Sequence, residues 1–309
     1  MSIIGIDLGG TNIAAGIMSD DFVLTRTIST PTHAPRAAES IVEDIAALIA
    51  ELRNGDPTAD RVGIGAPGLI SDGVIHSATN LRFKEVRLAD MVQRACGLPC
   101  RLGNDANVAA LGEAVAGVGK GAHSLLMVTL GTGIGGGIIN NGKIVDGFNG
   151  TGGEIGHFIL YPGGRPCACG KKGCFEAYCS ASALTADTIR AMWMHPESAL
   201  WKLTDGDLHR VNGKTAFDGM RAGDPVATQL VEEFIANLAL GLSSLVTLLQ
   251  PEVIAIGGGI SREGDTLLVP LREQVGALSY YDTTTPRTKI VAAHFKSEAG
   301  IVGAAGLWK

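Results

Sequence analysis

One short plan occurs twice in this chain, and it restricts the fold more than any other feature. Ile3 to Asp7 is an apolar, β-rich run that closes on an acid, Gly9, Gly10 and Thr11 turn the chain, and Ile13 to Met18 resumes the strand pattern. Leu126 to Ile139 repeats the plan: an apolar strand, then Gly131, Thr132 and Gly133, then a second strand, with Asn140, Asn141 and Gly142 turning the chain afterwards. Strand, glycine turn, strand reads as a hairpin. A hairpin of one design met twice reads as an internal duplication, and it predicts two α/β lobes facing one another across a cleft. The boundaries expected are a small lobe over residues 1–112, joined by a C-terminal helix over 298–309, and a large lobe over 113–297.

Periodicity fills in the rest. Ala38 to Leu52 places Ile41, Ile45, Leu48, Ile49 and Leu52 at helical spacing. Arg61 to Gly65 reads as a strand, which Ala66, Pro67 and Gly68 break into a loop reaching Asn80. A strand near Leu98 to Leu102 runs into Gly103, Asn104 and Asp105, and Ala106 to Ala116 follows as a helix. Strand, polar turn, helix presents side chains at the carboxyl edge of a sheet, where open α/β folds bind ligands. Further helices are expected over Ala181 to Met194, from Asp224 to just before Pro251, and over Ala299 to Trp308, with strands at Val253 to Ile256 and Ile290 to Ala293. Residues 195–220 carry no readable pattern of function.

A net charge of -6 argues against a nucleic-acid surface, which needs a basic face. The N-terminus has no basic region and its apolar run is interrupted by Asp7; residues 234–249 fall short of a membrane span and contain Asn237, Ser243, Ser244 and Thr247. The expectation is a cytoplasmic protein with no membrane partner. Three of the six cysteines, Cys96, Cys100 and Cys179, show no pairing pattern and read as free thiols.

The other three cysteines are metal-spaced. His157 is followed after nine residues by Cys167, after one more by Cys169 and after four by Cys174. Three thiols and an imidazole form a tetrahedral Cys₃His set that selects zinc, and four protein ligands leave no open position, so the ion is expected to hold shape. This zinc knuckle, residues 157–174, would fix Glu154 and Glu176 at its edges.

Three glycine turns follow three strands: Gly9 to Thr11, Gly131 to Gly133, and Gly257 to Gly259 with Gly258 at its centre. Bare backbone amides in such turns make anion-binding concavities suited to phosphate. Asp7 suits a magnesium ion held through water, or is a strand-end acid bonding turn amides. Asn104 and Asp105 read as helix caps; beside a phosphate, Asp105 becomes a general base for a hydroxyl and Asn104 its orienting partner. Glu154, His157 and Glu176 are surface groups around a metal loop or, being carboxylates and imidazole, a grip for a polyol, with one His157 nitrogen on zinc and the other on a hydroxyl.

In this order, DLGGTN, GAPG, LGND, LGTGIGGG, GEIGH, CACGKKGCFE and IGGG resemble the ROK family of sugar kinases, most closely its glucokinase branch. The resemblance covers nearly the whole chain. It implies an actin-like (ribonuclease H-like) ATPase fold, ATP and Mg2+ in the cleft, and transfer of the γ-phosphoryl group to the 6-hydroxyl of a hexose. It implies Asp105 as base, and Gly68, Thr79, Asn80, Asn104, Glu154, His157 and Glu176 as sugar contacts. Gly10, Thr11, Thr132, Gly133 and Gly258 resemble the nucleotide contacts, beside Asp7, Gly9, Asn12 and Gly257. Asn12 departs from the lysine of many members and removes a positive charge near the phosphates. GEIGH favours glucose over N-acetylmannosamine, with N-acetylglucosamine, mannose and fructose as other acceptors and polyphosphate as another donor. A sugar-sensing repressor of the family would carry a helix-turn-helix segment ahead of the first hairpin, which here begins at Ile3; a non-sugar ATPase of the fold has no use for the knuckle. The apolar helix near Ala236 to Leu249 and the resemblance both point to a homo-oligomer, dimer or tetramer.

Overall fold

The computed structural model describes residues 2–281 and 285–309. Its chain packs into two compact units, one built from Met1–Met127, Gly137–Gly153 and His294–Lys309, the other from Val128–Gly136 and Glu154–Ala293.

In the first unit, β1 (Ser2–Leu8), β2 (Asn12–Ser19) and β3 (Leu24–Pro31) form an antiparallel meander. β1 is central, with Ile3, Ile4, Ile6 and Leu8 all buried, as a strand covered on both faces requires. Helix α1 (Ala38–Gly55) buries Ile41, Val42, Ile45, Leu48, Ile49 and Leu52 and brings the chain back, so that β4 (Ala59–Ala66) lies parallel to β1. The loop expected as far as Asn80 is instead two strands, β5 (Leu69–Ser71) and β6 (Val74–Ala78), which with β7 (Phe83–Val86) make a small antiparallel sheet. Three to five residues are too few to show a period. Helix α2 (Leu88–Cys96) leads to β8 (Cys100–Asn104), parallel to β4, and α3 (Asp105–Val115) follows without a break. The sheet order is β3-β2-β1-β4-β8.

The C-terminal helix, Ala299–Gly306, packs against β1, β4 and α3 of this unit. Its small residues are what permit the approach. A Cβ on Gly63 of β4 would lie 1.8 Å from the Ala304 carbonyl oxygen, and one on Gly303 would lie 1.7 Å from that of Val108 in α3.

The second sheet is assembled from β9 (Ser124–Leu130), β10 (Ile134–Asn140), β11 (Lys143–Ile144), β12 (Val253–Gly257) and β13 (Lys289–Ala292). Its order, β11-β10-β9-β12-β13, repeats the first position for position, with β10 antiparallel to β11 and β12 parallel to β13. The duplication expected from the two hairpins is therefore a duplication of whole sheets. The helices of the second unit are α4 (Glu176–Cys179), α5 (Ala181–Met194), α6 (Leu200–Leu203), α7 (Thr215–Arg221), α8 (Pro225–Leu249) and α9 (Asp265–Leu278). Asp224 caps α8 by accepting the Ala227 N–H at 2.9 Å, and Pro225 opens it. By length and composition α8 alone among the described residues could cross a bilayer, but 56% of its most apolar window is buried in the protein. The unreadable stretch 195–220 holds α6 and most of α7, around a satellite core of Met192, Leu200, Val211 and Ala227. Helix α9 escaped the sequence reading because Pro270 interrupts it.

Candidate active site

In the first unit the acidic and glycine motifs meet at one edge of the sheet. Asp7 stands opposite Gly65 in the β1–β4 ladder, and Ala66 opposite Asn104 in the β4–β8 ladder. The carboxyl ends of three adjacent parallel strands therefore carry Asp7, the 66–68 turn, and Asn104 with Asp105. Asn104 caps α3: its Oδ1 accepts from the N–H groups of Ala106 at 3.0 Å and Asn107 at 3.2 Å. Its Nδ2 donates to the Gly68 carbonyl oxygen at 3.1 Å, locking the two turns together. Asp105 is exposed, with Oδ1 accepting the Ala106 N–H at 2.8 Å. Burial first, and the Asp105 charge second, push the Asp7 carboxyl from 3.8 up to about 6. A cation is the natural relief for two such neighbours.

The first glycine turn is closed by the Gly9 N–H donating to the Asn12 oxygen at 2.9 Å. It is buttressed by a residue the sequence reading missed. Thr32, fully buried, donates its hydroxyl to the Gly9 oxygen at 2.7 Å and its N–H to the Thr11 oxygen at 2.8 Å. No local pattern marks Thr32, because it reaches the turn from the end of β3. Thr11 and Asn12 are exposed, and Gly10 faces the side chain of Asn80, which with Thr79 lies exposed beyond β6.

In the second unit the turn Gly131–Thr132–Gly133 is closed by Gly131 N–H donating to Gly133 O at 3.0 Å, and Gly131 O accepts the Ala181 N–H at 2.8 Å. Gly258 lies against Leu130, just before that turn, so the 131–133 and 257–259 turns are neighbours. Beside them is a cavity of about 520 Å³ lined by Ala181, Gly213, Lys214, Arg221, Gly259 and Arg262, among others. That volume suits a nucleoside-sized ligand. Arg221 is held there by ion pairs at 2.6 Å to Asp218 and to Glu263. Sequence alone gave Lys214, Arg221 and Arg262 no role, since they lie outside every motif.

The knuckle is a short antiparallel hairpin, bridged at Ile159–Cys174 and Pro166–Lys172. Glu154, exposed, accepts the His157 N–H through its backbone oxygen at 3.0 Å, which closes the 3₁₀ turn Ile155–His157. One ligand atom from each of His157, Cys167, Cys169 and Cys174 falls within 4.8 Å of all the others. Cys169 and Cys174 sulfurs are 3.6 Å apart, and Cys167 Sγ is 3.7 Å from His157 Nδ1. A tetrahedron with zinc–sulfur bonds of about 2.3 Å has edges of about 3.8 Å, so the donor set fits such an ion in both chemistry and spacing. Burial, then the facing Cys169 and Cys167 groups, push the Cys174 thiol up to about 12, an arrangement that a dication relieves. Glu176, half-buried, begins α4 with Oε2 accepting the Ile134 N–H at 2.9 Å and Oε1 facing Cys167 Sγ at 3.7 Å.

The sequence pattern of the ROK family matches residues 3–309. A glucokinase of Thermotoga maritima is 35% identical over 313 residues, covering 100% of this chain and 98% of that protein. An N-acetylmannosamine kinase of Yersinia pseudotuberculosis is 31% identical over 310 residues, covering 99% of this chain and 97% of that protein. Among solved structures, a ROK family glucokinase from Streptomyces griseus in complex with glucose and AMPPNP superposes with a TM-score of 0.79 at 37% identity, over 99% of each chain.

Proposed function

Because the chain belongs to the ROK family, we propose that it is an ATP-dependent hexose kinase that phosphorylates the 6-hydroxyl of glucose. What supports this reading is the exposed Asp105, set at the start of α3 beside a carboxyl already unwilling to ionise, in a chain similar from end to end to a glucokinase. Asp105 takes the proton from the attacking hydroxyl. Asn104 spends its oxygen on the helix cap and one amide hydrogen on Gly68, and the remaining hydrogen orients the sugar; Gly68, Thr79 and Asn80 complete the sugar contacts of that unit. Glu154, His157 and Glu176 are the hexose contacts of the second unit, on a knuckle held by structural zinc at His157, Cys167, Cys169 and Cys174.

The donor phosphates sit on the glycine turns Gly9–Asn12, Thr132–Gly133 and Gly257–Gly258, and the nucleoside occupies the 520 Å³ cavity that opens beside two of them. Magnesium, when bound, neutralises charge on the transferring phosphoryl group, and Asp7 is the residue that would hold it. The enzyme works in the cytoplasm, where ATP is available. It self-associates, a reading supported by exposed Leu248, Val269 and Leu278 on the packed pair α8 and α9.

The test is coupled ADP release with magnesium and ATP against glucose, N-acetylmannosamine, N-acetylglucosamine, mannose and fructose, run beside Asp105→Asn. Turnover on glucose that falls at least about a thousandfold in a folded Asp105→Asn protein is the expected result. Turnover only on N-acetylmannosamine would move the acceptor, as the Yersinia relative allows. No turnover on any sugar would overturn the reading.

A further inference from the structure

Glu176 is more firmly committed than a sugar ligand at the rim of a metal loop needs to be. Its Oε2 accepts the Ile134 N–H at 2.9 Å, the first amide after the 131–133 turn. A Cβ on Gly133 would stand 2.3 Å from that same oxygen and 3.1 Å from the carboxyl carbon. Gly133 is thus glycine because the Glu176 carboxylate fills the space of a side chain. The opposite end of the turn is tied by Ala181 N–H to Gly131 O. The turn therefore hangs between two anchors, one at each side of the short helix α4.

The Glu176 anchor is itself rigid. The preceding residue, Phe175, is fully buried and stacks on Phe158 with ring centroids 5.0 Å apart. Its ring occupies the place of a side chain at Gly241 in α8, where a Cβ would lie 2.3 Å away. Cys174, before it, is one of the four metal-spaced donors. A continuous chain of contacts therefore runs from the knuckle and α8 through Phe175 and Glu176 to the glycine turn. Catalysis by positioning needs such support, since a phosphate-binding turn that drifts by an ångström loses its geometry.

We propose that Glu176 is a positioning residue for the phosphoryl donor: its carboxylate fixes the 131–133 turn and couples that turn to the metal knuckle. The proposal rests on the kinase reading for the identity of the donor. The hydrogen bond is what matters, not the negative charge, which by itself repels phosphate. Glutamine keeps the acceptor and alanine removes it.

ATP binding with magnesium and without sugar, measured by calorimetry, tests this on wild type, Glu176→Gln, Glu176→Ala, Gly133→Ala and the Glu176→Ala/Gly133→Ala pair, each checked for bound zinc and melting temperature. Loss of the hydrogen bond predicts up to about tenfold weaker ATP binding for Glu176→Ala, and Glu176→Gln within about twofold of wild type. Gly133→Ala should weaken binding likewise. The double variant should do no worse than Gly133→Ala alone, because the vacated carboxylate leaves room for the methyl group. Normal ATP affinity in Glu176→Ala, with only the hexose KM raised, would make Glu176 a sugar ligand and nothing more; equal losses in the glutamine and alanine variants would also overturn the proposal. Should Glu176→Ala lose its metal, Gly133→Ala and Glu176→Gln carry the decision. Wild type that binds ATP but turns over no sugar would sink the kinase reading while leaving the tie measurable.

Discussion

Asp7→Asn should make the protein more stable and inactive at once. The Asp7 carboxyl is held at about 6 against an ordinary 3.8, chiefly by burial and then by the Asp105 charge. Since the folded value is raised, the folded state binds the extra proton between those two values, and this group's contribution to stability is lost as pH rises through them. At about 1.4 kcal/mol per pH unit, ionised Asp7 costs at most about 3 kcal/mol at pH 7.5 and roughly half that at pH 5. Asparagine has the same shape and no charge to bury. Denaturant unfolding of wild type and variant in magnesium-free buffer should therefore show the variant ahead by up to about 3 kcal/mol at pH 7.5, with the gap narrowing by about half at pH 5. Added magnesium and ATP should stabilise the wild type and not the variant, and ADP release should vanish in the variant. A variant no more stable than wild type at pH 7.5, or a gap that ignores pH, would refute the reasoning.

Gly303→Ala forces a methyl carbon to within 1.7 Å of the Val108 carbonyl oxygen, a backbone atom that no rotamer can move, so a loss of about 3 kcal/mol is expected; an unchanged melting temperature would show that the helices part freely. Thr32→Val removes the hydroxyl that grips Gly9 O and should cost about 1–2 kcal/mol while raising the KM for ATP and leaving that for hexose alone, a split that steady-state kinetics reads directly. Cys169→Ser should abolish stoichiometric zinc in elemental analysis together with most turnover, and full activity in metal-free protein would remove the knuckle from the site.

Much of this was legible in the chain itself. The repeated hairpin foretold an internal duplication, which the structure extends to two sheets of one strand order, and His157 with three cysteines foretold a cluster whose donor atoms converge. Helices α5 and α8 appear where their periodicity and caps place them, at Ala181–Met194 and Pro225–Leu249. The motif Asn104–Asp105 left two readings open, cap or site: Asn104 caps α3, and Asp105 stands exposed beside it, its charge adding to the rise of the Asp7 carboxyl. The small sheet β5-β6-β7 was missed because strands this short carry no period.

What the sequence determined by itself is whatever lies within a few turns of chain: amphipathic period, turn chemistry, ligand spacing. These act through local backbone geometry and need no partner to be recognised. What only the tertiary structure decided is distant in sequence. Thr32 beneath the first glycine turn, the C-terminal helix against Gly63, Lys214 and Arg221 in the cavity by Gly259, and Glu176 against Gly133 all depend on which surfaces close on each other. Close packing sets those approaches to fractions of an ångström, and that information is carried by the whole core and not by any one stretch of residues.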